Sequence, residues 1–156
     1  MARSLYDAIP ATDFRKYSYL DPDRSTYAYQ SVRGNAWLDE QPDYMSLKFR
    51  PVGGDYNTYS VGAAADIPVM RVEEMYLIEA EAVGASQNVA AGVQLLNNFM
   101  KQYRQSNYNF STGDLRNFQL EVLKQMRIEF WGEGIAFPTA KRLKPDVIQN
   151  YEGTNF

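Results

Sequence analysis

The sequence predicts a mainly α fold: a helical hairpin with further helices after it, preceded by a loop-rich N-terminal part containing one or two short strands. Three patterns predict this. Apolar residues recur at helical spacing through most of residues 66–144, tyrosines and prolines crowd residues 1–65 without such spacing, and one short segment alternates. The chain has 156 residues, enough to build one compact domain. It divides into a loop-rich segment over 1–65, a helical segment over 66–144 and a tail over 145–156.

In the first segment fall Pro10, Pro22, Pro42 and Pro51, with eight of the twelve tyrosines, which marks long ordered loops. From Tyr44 to Arg50 the residues alternate. Met45, Leu47 and Phe49 share one face and Ser46, Lys48 and Arg50 the other, so a half-buried strand is expected, ended by Pro51-Val52-Gly53-Gly54. Loops this long normally lie against another part of a structure.

The period becomes helical from Asp66. Asp66-Ile67-Pro68 supplies a cap and an early proline, and the run Met70 to Val83 is apolar on most sides, with Gly84 as a stop. Such a helix is expected to be covered on several sides. A second helix spans about Val89 to Arg104. Val89, Gly92, Val93, Leu96, Phe99, Met100 and Tyr103 form its stripe, opposed by Gln94, Asn98 and Lys101. The short Ala85-Ser86-Gln87-Asn88 link makes these two helices antiparallel neighbours, a hairpin the size of one helical-repeat unit. A third helix is expected from Asp114 or Leu115 to Trp131. Its stripe is Leu115, Phe118, Val122, Leu123, Met126 and Phe130, and Gly132 and Gly134 end it. A short helix through Pro138 reaches Leu143, and the tail reads as loop.

Composition removes whole classes of chemistry. Histidine and cysteine are absent, so disulfides, thiolate or imidazole metal sites, and Ser-His or Cys-His catalysis are excluded. A net charge of −3 leaves no electrostatic footprint for nucleic acid. No apolar run reaches the length of about 18 residues that a membrane-spanning helix needs. Asp21-Pro22-Asp23 and Asp39-Glu40 lack the full spacing of a calcium loop and read as turns. No metal and no cofactor is expected.

Two glutamates interrupt apolar stripes. Glu79 falls between Val72, Met75 and Val83, and Glu129 between Phe118, Val122 and Met126. A buried carboxylate needs a partner, and Arg71, Arg127 and Arg142 are the nearest arginines in sequence. The expected result is a structural ion-pair network of Arg71, Glu79, Glu81, Arg127, Glu129, Glu133 and Arg142. The competing possibility is a glutamate pair doing acid–base work as in a glycosidase. Arginines beside those carboxylates would depress their pKa, the wrong direction for a general acid. Exposed aromatic side chains stack on sugar rings, so Trp37, Tyr27, Tyr29, Tyr56 and Tyr59 are the candidates for ligand contact. Burial beneath loops is the competing fate for each of them.

Two longer motifs carry a resemblance. Arg71-Val72-Glu73-Glu74-Met75-Tyr76-Leu77-Ile78-Glu79-Ala80-Glu81-Ala82 resembles the R-x-x-E-x-Y-L-x-x-A-E-A helix of the SusD/RagB family. Lys124-Gln125-Met126-Arg127-Ile128-Glu129-Phe130-Trp131-Gly132-Glu133-Gly134 is similar to that family's R-R-x-E-L-x-x-E-G helix, with Met126 in place of the first arginine. Lys141-Arg142-Leu143 resembles the basic segment that follows, and Leu5-Tyr6-Asp7, Ile9-Pro10 and Asp13-Phe14-Arg15-Lys16 the stretch that precedes both motifs in one branch. Where many members have Arg and Asp after the glycine, Ala136 and Thr139 stand here.

The resemblance implies a TPR-like (tetratricopeptide-like) helical scaffold with an irregular face that carries ligand. It implies a non-enzymatic glycan- or nutrient-binding lipoprotein on the outside of the outer membrane of Bacteroidetes-type bacteria. The implied partner is a SusC-like TonB-dependent transporter, and the wider setting is polysaccharide utilization. Members are longer, so a C-terminal portion is expected, anchored to lipid through a missing N-terminal part and able to self-associate through uncovered helix faces. A hydrolase using paired glutamates and a helical-repeat module that binds only protein are the alternatives.

Overall fold

A computed structural model describes residues 3–25, 36–49 and 68–146. Its helices are α1 (Arg3–Asp7), a 3-10 helix over Phe14–Ser18, α2 (Ala36–Asp39), α3 (Val72–Ser86), α4 (Val89–Tyr103), α5 (Leu115–Glu129) and α6 (Ala136–Leu143). The fold is mainly helical, as the apolar periodicity requires.

Local chemistry explains the boundaries. Asn88 caps α4 by accepting from the Ala91 amide at 2.8 Å, and Asp114 caps α5 by accepting from Asn117 at 2.7 Å. Lys144 takes a left-handed conformation, φ 47°, and closes α6, while Arg116 donates to the carbonyl oxygens of Leu143 and Lys144. α3 departs from expectation at both ends. It starts at Val72, after Pro68, with Arg71 at the cap position making no side-chain cap bond. It also runs through Gly84 to Ser86 instead of stopping there.

Gly84 stays helical because its missing side chain is needed for packing. A Cβ at Gly84 would run into the Phe118 ring, and one at Gly92 would lie 2.6 Å from the Ala80 carbonyl oxygen. Gly92 lets α3 and α4 cross at backbone contact, and Gly84 lets the Phe118 ring of α5 close onto α3. Around them Leu77, Ala80, Val93, Leu96, Phe99, Met100, Phe118, Val122, Met126 and Phe130 form the main core. Each large side chain in it contributes about 2 kcal/mol of burial. A smaller cluster of Leu5, Tyr6, Ile9, Tyr19 and Ile128 holds the N-terminal segment to α5, and Leu20, Leu38 and Leu47 form a third.

The expected strand over 44–50 is a correction. Among the described residues there is no strand, only an isolated antiparallel bridge between Tyr19 and Ser46. The two segments do exchange backbone bonds: Leu20 N–H to the Met45 carbonyl, Tyr44 N–H to that of Leu20, and Leu47 N–H to that of Ser18. Tyr44 sits at φ 66°, outside the extended region, and stops the ladder from lengthening. The alternation still works locally, since Leu47 is buried against Leu20 and Leu38.

Candidate functional site

The most heavily charged interior point of the described residues is Glu129, in the last turn of α5. Its side chain is 5% exposed. Three guanidinium groups close around it. Arg104, just past α4, donates Nε to Oε2 at 2.7 Å and NH2 to Oε1 at 2.8 Å. Arg71 donates to Oε1 at 3.0 Å, and Arg15, from the 3-10 helix, to Oε2 at 3.2 Å.

Each arginine is in turn held by others. Arg15 takes Asp13 through both its Nε and NH2 and bonds Gln125 at 2.6 Å. Arg71 forks onto Glu133 at 3.1 and 3.0 Å, and its NH2 also reaches the Glu129 carbonyl oxygen at 2.8 Å. Arg104 reaches Glu73 at 3.1 Å and lies between the Phe14 and Phe99 rings. Lys48 completes the set, donating to Glu133 and to the Glu129 carbonyl oxygen. Four cations (Arg15, Lys48, Arg71, Arg104) thus face four carboxylates (Asp13, Glu73, Glu129, Glu133), and the cluster is formally neutral.

The electrostatics follow from this crowd. Burial by itself would raise the Glu129 pKa, but the Arg104 hydrogen bond and charge, with Arg15 and Arg71 behind them, pull it down to about 2. Burial would likewise lower Arg71 and Arg104, and their carboxylate partners reverse that and hold both raised. Glu129 therefore stays ionised across the physiological range with both oxygens occupied. It has neither the proton of a general acid nor a free lone pair aimed at a substrate.

A cavity of about 300 Å³ opens beside the cluster, lined by Phe14, Tyr19, Lys48, Arg71 and Glu129 among others. Its cations are already neutralised by their own carboxylates, so the cavity shows no unspent charge for an ionic ligand. The cluster joins five stretches separated in sequence: Asp13 and Arg15, Lys48, the start of α3, the end of α4, and the end of α5 with the turn after it. It fixes the N-terminal segment to the helices.

The sequence-predicted residues distribute unevenly. Arg71, Glu129 and Glu133 meet in this cluster. Glu81 and Arg142 form a separate pair, 2.7 Å apart, with Gln119 donating to Glu81 at 3.2 Å. Two expectations are corrected. Glu79 is exposed, because the face of α3 it shares with Val72 and Met75 points to solvent. Arg127 is also exposed and forms no ion pair among the described residues. Arg15, Lys48 and Arg104 were not among the predicted partners. Arg104 carries a readable signal: it falls four residues after Met100 and eight after Leu96, on the buried stripe itself. Arg15 and Lys48 lie 114 and 81 residues from Glu129, and nothing local points to it. Of the aromatic candidates, Trp37 lies on α2, and Tyr27, Tyr29, Tyr56 and Tyr59 fall outside the described residues.

The sequence model of the SusD family matches residues 11–147, most of the chain, and the chain belongs to that family. SusD-family proteins are nutrient- or glycan-binding components of uptake systems, associated with the outer membrane, and are binding proteins rather than hydrolases. Comparison with curated proteins and with solved structures finds no match to either. Among the described residues no helix is long and apolar enough to cross a membrane, and no three acidic side chains cluster as metal ligands would.

Proposed function

We propose that this chain is part of a cell-surface glycan- or nutrient-binding component of a SusC/SusD-type uptake system, and that it binds its ligand without breaking a bond. The match to the SusD family over residues 11–147 carries this reading. The state of Glu129 supports it: a carboxylate locked among three guanidinium groups is suited to rigidity and unsuited to proton transfer.

In this reading the helices form a fixed base and the aromatic residues of the N-terminal segment, Trp37, Tyr27, Tyr29, Tyr56 and Tyr59, offer stacking faces to sugar rings. The cluster around Glu129 serves the base. The protein works on the outward face of the outer membrane, lipid-anchored and seated on a SusC-like TonB-dependent transporter. The uncovered apolar face of α3, with Val72, Met75, Tyr76 and Ile78, is the surface on which further helices of a longer SusD-like array rest.

Titration calorimetry of the chain against a panel of neutral and acidic oligosaccharides tests the proposal. Saturable heat with at least one glycan is the expected result. A flat response across the panel, with saturable binding to a protein partner instead, overturns it in favour of a protein-only module.

A further inference from the structure

A second cleft, of about 490 Å³, lies between α1, the end of α5 and the start of α6 and shares no lining residue with the cavity beside Glu129. Its walls are Leu5, Phe130, Trp131 and Phe137, with Gly132 and Gly134 on the turn between α5 and α6. Its size falls within the range of small-molecule sites. Four features set it apart.

Phe137 is 73% exposed, an aromatic ring left mostly open to solvent. Trp131 is half-buried, holding one edge-to-face contact with Tyr19 at 6.3 Å while its other side borders the cleft. Gly134 has φ 80°, and a Cβ placed there would meet nothing within 4 Å, so the turn presents bare backbone beside open space.

The fourth feature is Arg127, which lines the same cleft. Every other described arginine donates to a carboxylate or a backbone carbonyl. Among the described residues Arg127 donates to none. The acidic side chain of the adjoining turn, Glu133, is directed away to Arg71 and Lys48, and the cleft lining contains no carboxylate to answer Arg127. Aromatic faces beside an unanswered guanidinium suit a ring that is apolar on one side and anionic at its edge.

We propose that this cleft binds a glycan residue bearing a carboxylate, a hexuronate, with its ring against Phe137 and Trp131 and its carboxylate on Arg127. The inference rests on the glycan-binding reading and narrows it to one sugar class and one place. It is separate from the aromatic candidates of the N-terminal segment.

The test compares trigalacturonate with its carboxyl-reduced form, the same trisaccharide without charge, by calorimetry on the chain and two variants. Both substitutions fall on exposed side chains, and thermal melting verifies that each variant folds. The chain is expected to prefer the uronate, the more so at low ionic strength. Arg127→Gln is expected to weaken uronate binding about tenfold and to erase the preference. Phe137→Ala is expected to weaken both sugars. Uronate binding that survives Arg127→Gln overturns the site. Binding of neutral glycans with none of uronates overturns the inference while leaving the glycan-binding reading in place. Absence of binding to any glycan overturns both.

Discussion

Arg104 and Glu129, 25 positions apart, form a two-bond pair inside the protein, Nε to Oε2 at 2.7 Å and NH2 to Oε1 at 2.8 Å. The pair ties the C-terminal end of α4 to that of α5, and the same carboxylate also takes Arg71 and Arg15. A carboxylate so placed stabilises mainly by what its removal would strand. Glu129→Ala leaves four clustered cations (Arg15, Lys48, Arg71, Arg104) against three carboxylates (Asp13, Glu73, Glu133), with one positive charge uncompensated inside the protein, and a loss of about 3–5 kcal/mol is expected. Glu121 accepts from two neutral groups, the Tyr108 hydroxyl and Gln125, and pairs only with the half-exposed Lys124, so Glu121→Ala should cost less, about 1–2 kcal/mol. Urea unfolding of the two variants measures the gap, and equal midpoints would refute the hub role.

Acid should find the same residue. The folded pKa of Glu129 is about 2 against an ordinary 4.5, so the unfolded chain binds the proton first as pH falls. The stability this group contributes, about 3 kcal/mol, is complete above pH 4.5 and drains away between 4.5 and 2. Glu129→Gln should flatten that limb of the stability curve. An unchanged acid midpoint in the variant contradicts the assignment.

At the alkaline end the buried phenols take over. Burial raises the pKa of Tyr108, with the Glu121 charge adding to it, and burial likewise raises Tyr19. Because the unfolded chain ionises these tyrosines near pH 10, the stability they provide is present below that value and falls above it. Tyr108→Phe should shift the alkaline unfolding midpoint upward. Absorbance near 295 nm, which follows phenolate, should show Tyr108 and Tyr19 ionising only as the protein unfolds.

The crossing of α3 and α4 makes a steric prediction. Gly92→Ala forces a methyl group to within 2.6 Å of the Ala80 carbonyl oxygen and 2.7 Å of the Gly84 Cα, both backbone atoms, so the helices must separate. A cost of about 2–3 kcal/mol is expected. Gly113→Ala meets nothing within 4 Å and should change stability by less than about 1 kcal/mol. Thermal melting of the two alanine variants decides it.

α3 leaves Val72 64%, Met75 46%, Tyr76 40% and Ile78 44% exposed along its outer side. Apolar faces of this kind associate. Sedimentation velocity of the isolated chain should show concentration-dependent self-association, and Val72→Lys with Ile78→Lys should abolish it. A monomer at all concentrations that also binds no hydrophobic dye argues against an uncovered packing face.

How much of this could be read beforehand depends on how local each signal is. The hairpin and α5 were legible because Val93, Leu96 and Met100, or Phe118, Val122 and Met126, repeat at helical spacing on one side only. α3 gave no such contrast. With apolar residues on most of its faces, its buried side cannot be told from its exposed one, so the pattern puts both Glu79 and Glu81 in ion pairs, whereas only Glu81 is buried and Glu79 faces solvent. Glu129 was found because it interrupts an otherwise clean stripe. Its partners Arg15 and Lys48 were not, since tertiary packing brings them from the far end of the chain. The alternation at 44–50 marked Leu47 correctly as buried, but the backbone turn at Tyr44 limits pairing to a bridge.

The most direct trial of the binding role follows the sugar itself. An oligosaccharide that saturates the protein in calorimetry is left with an equimolar amount of chain at neutral pH, then released and weighed by mass spectrometry. A receptor of the kind described returns it at its original mass. Shortened fragments would mean that the glutamates do chemistry after all.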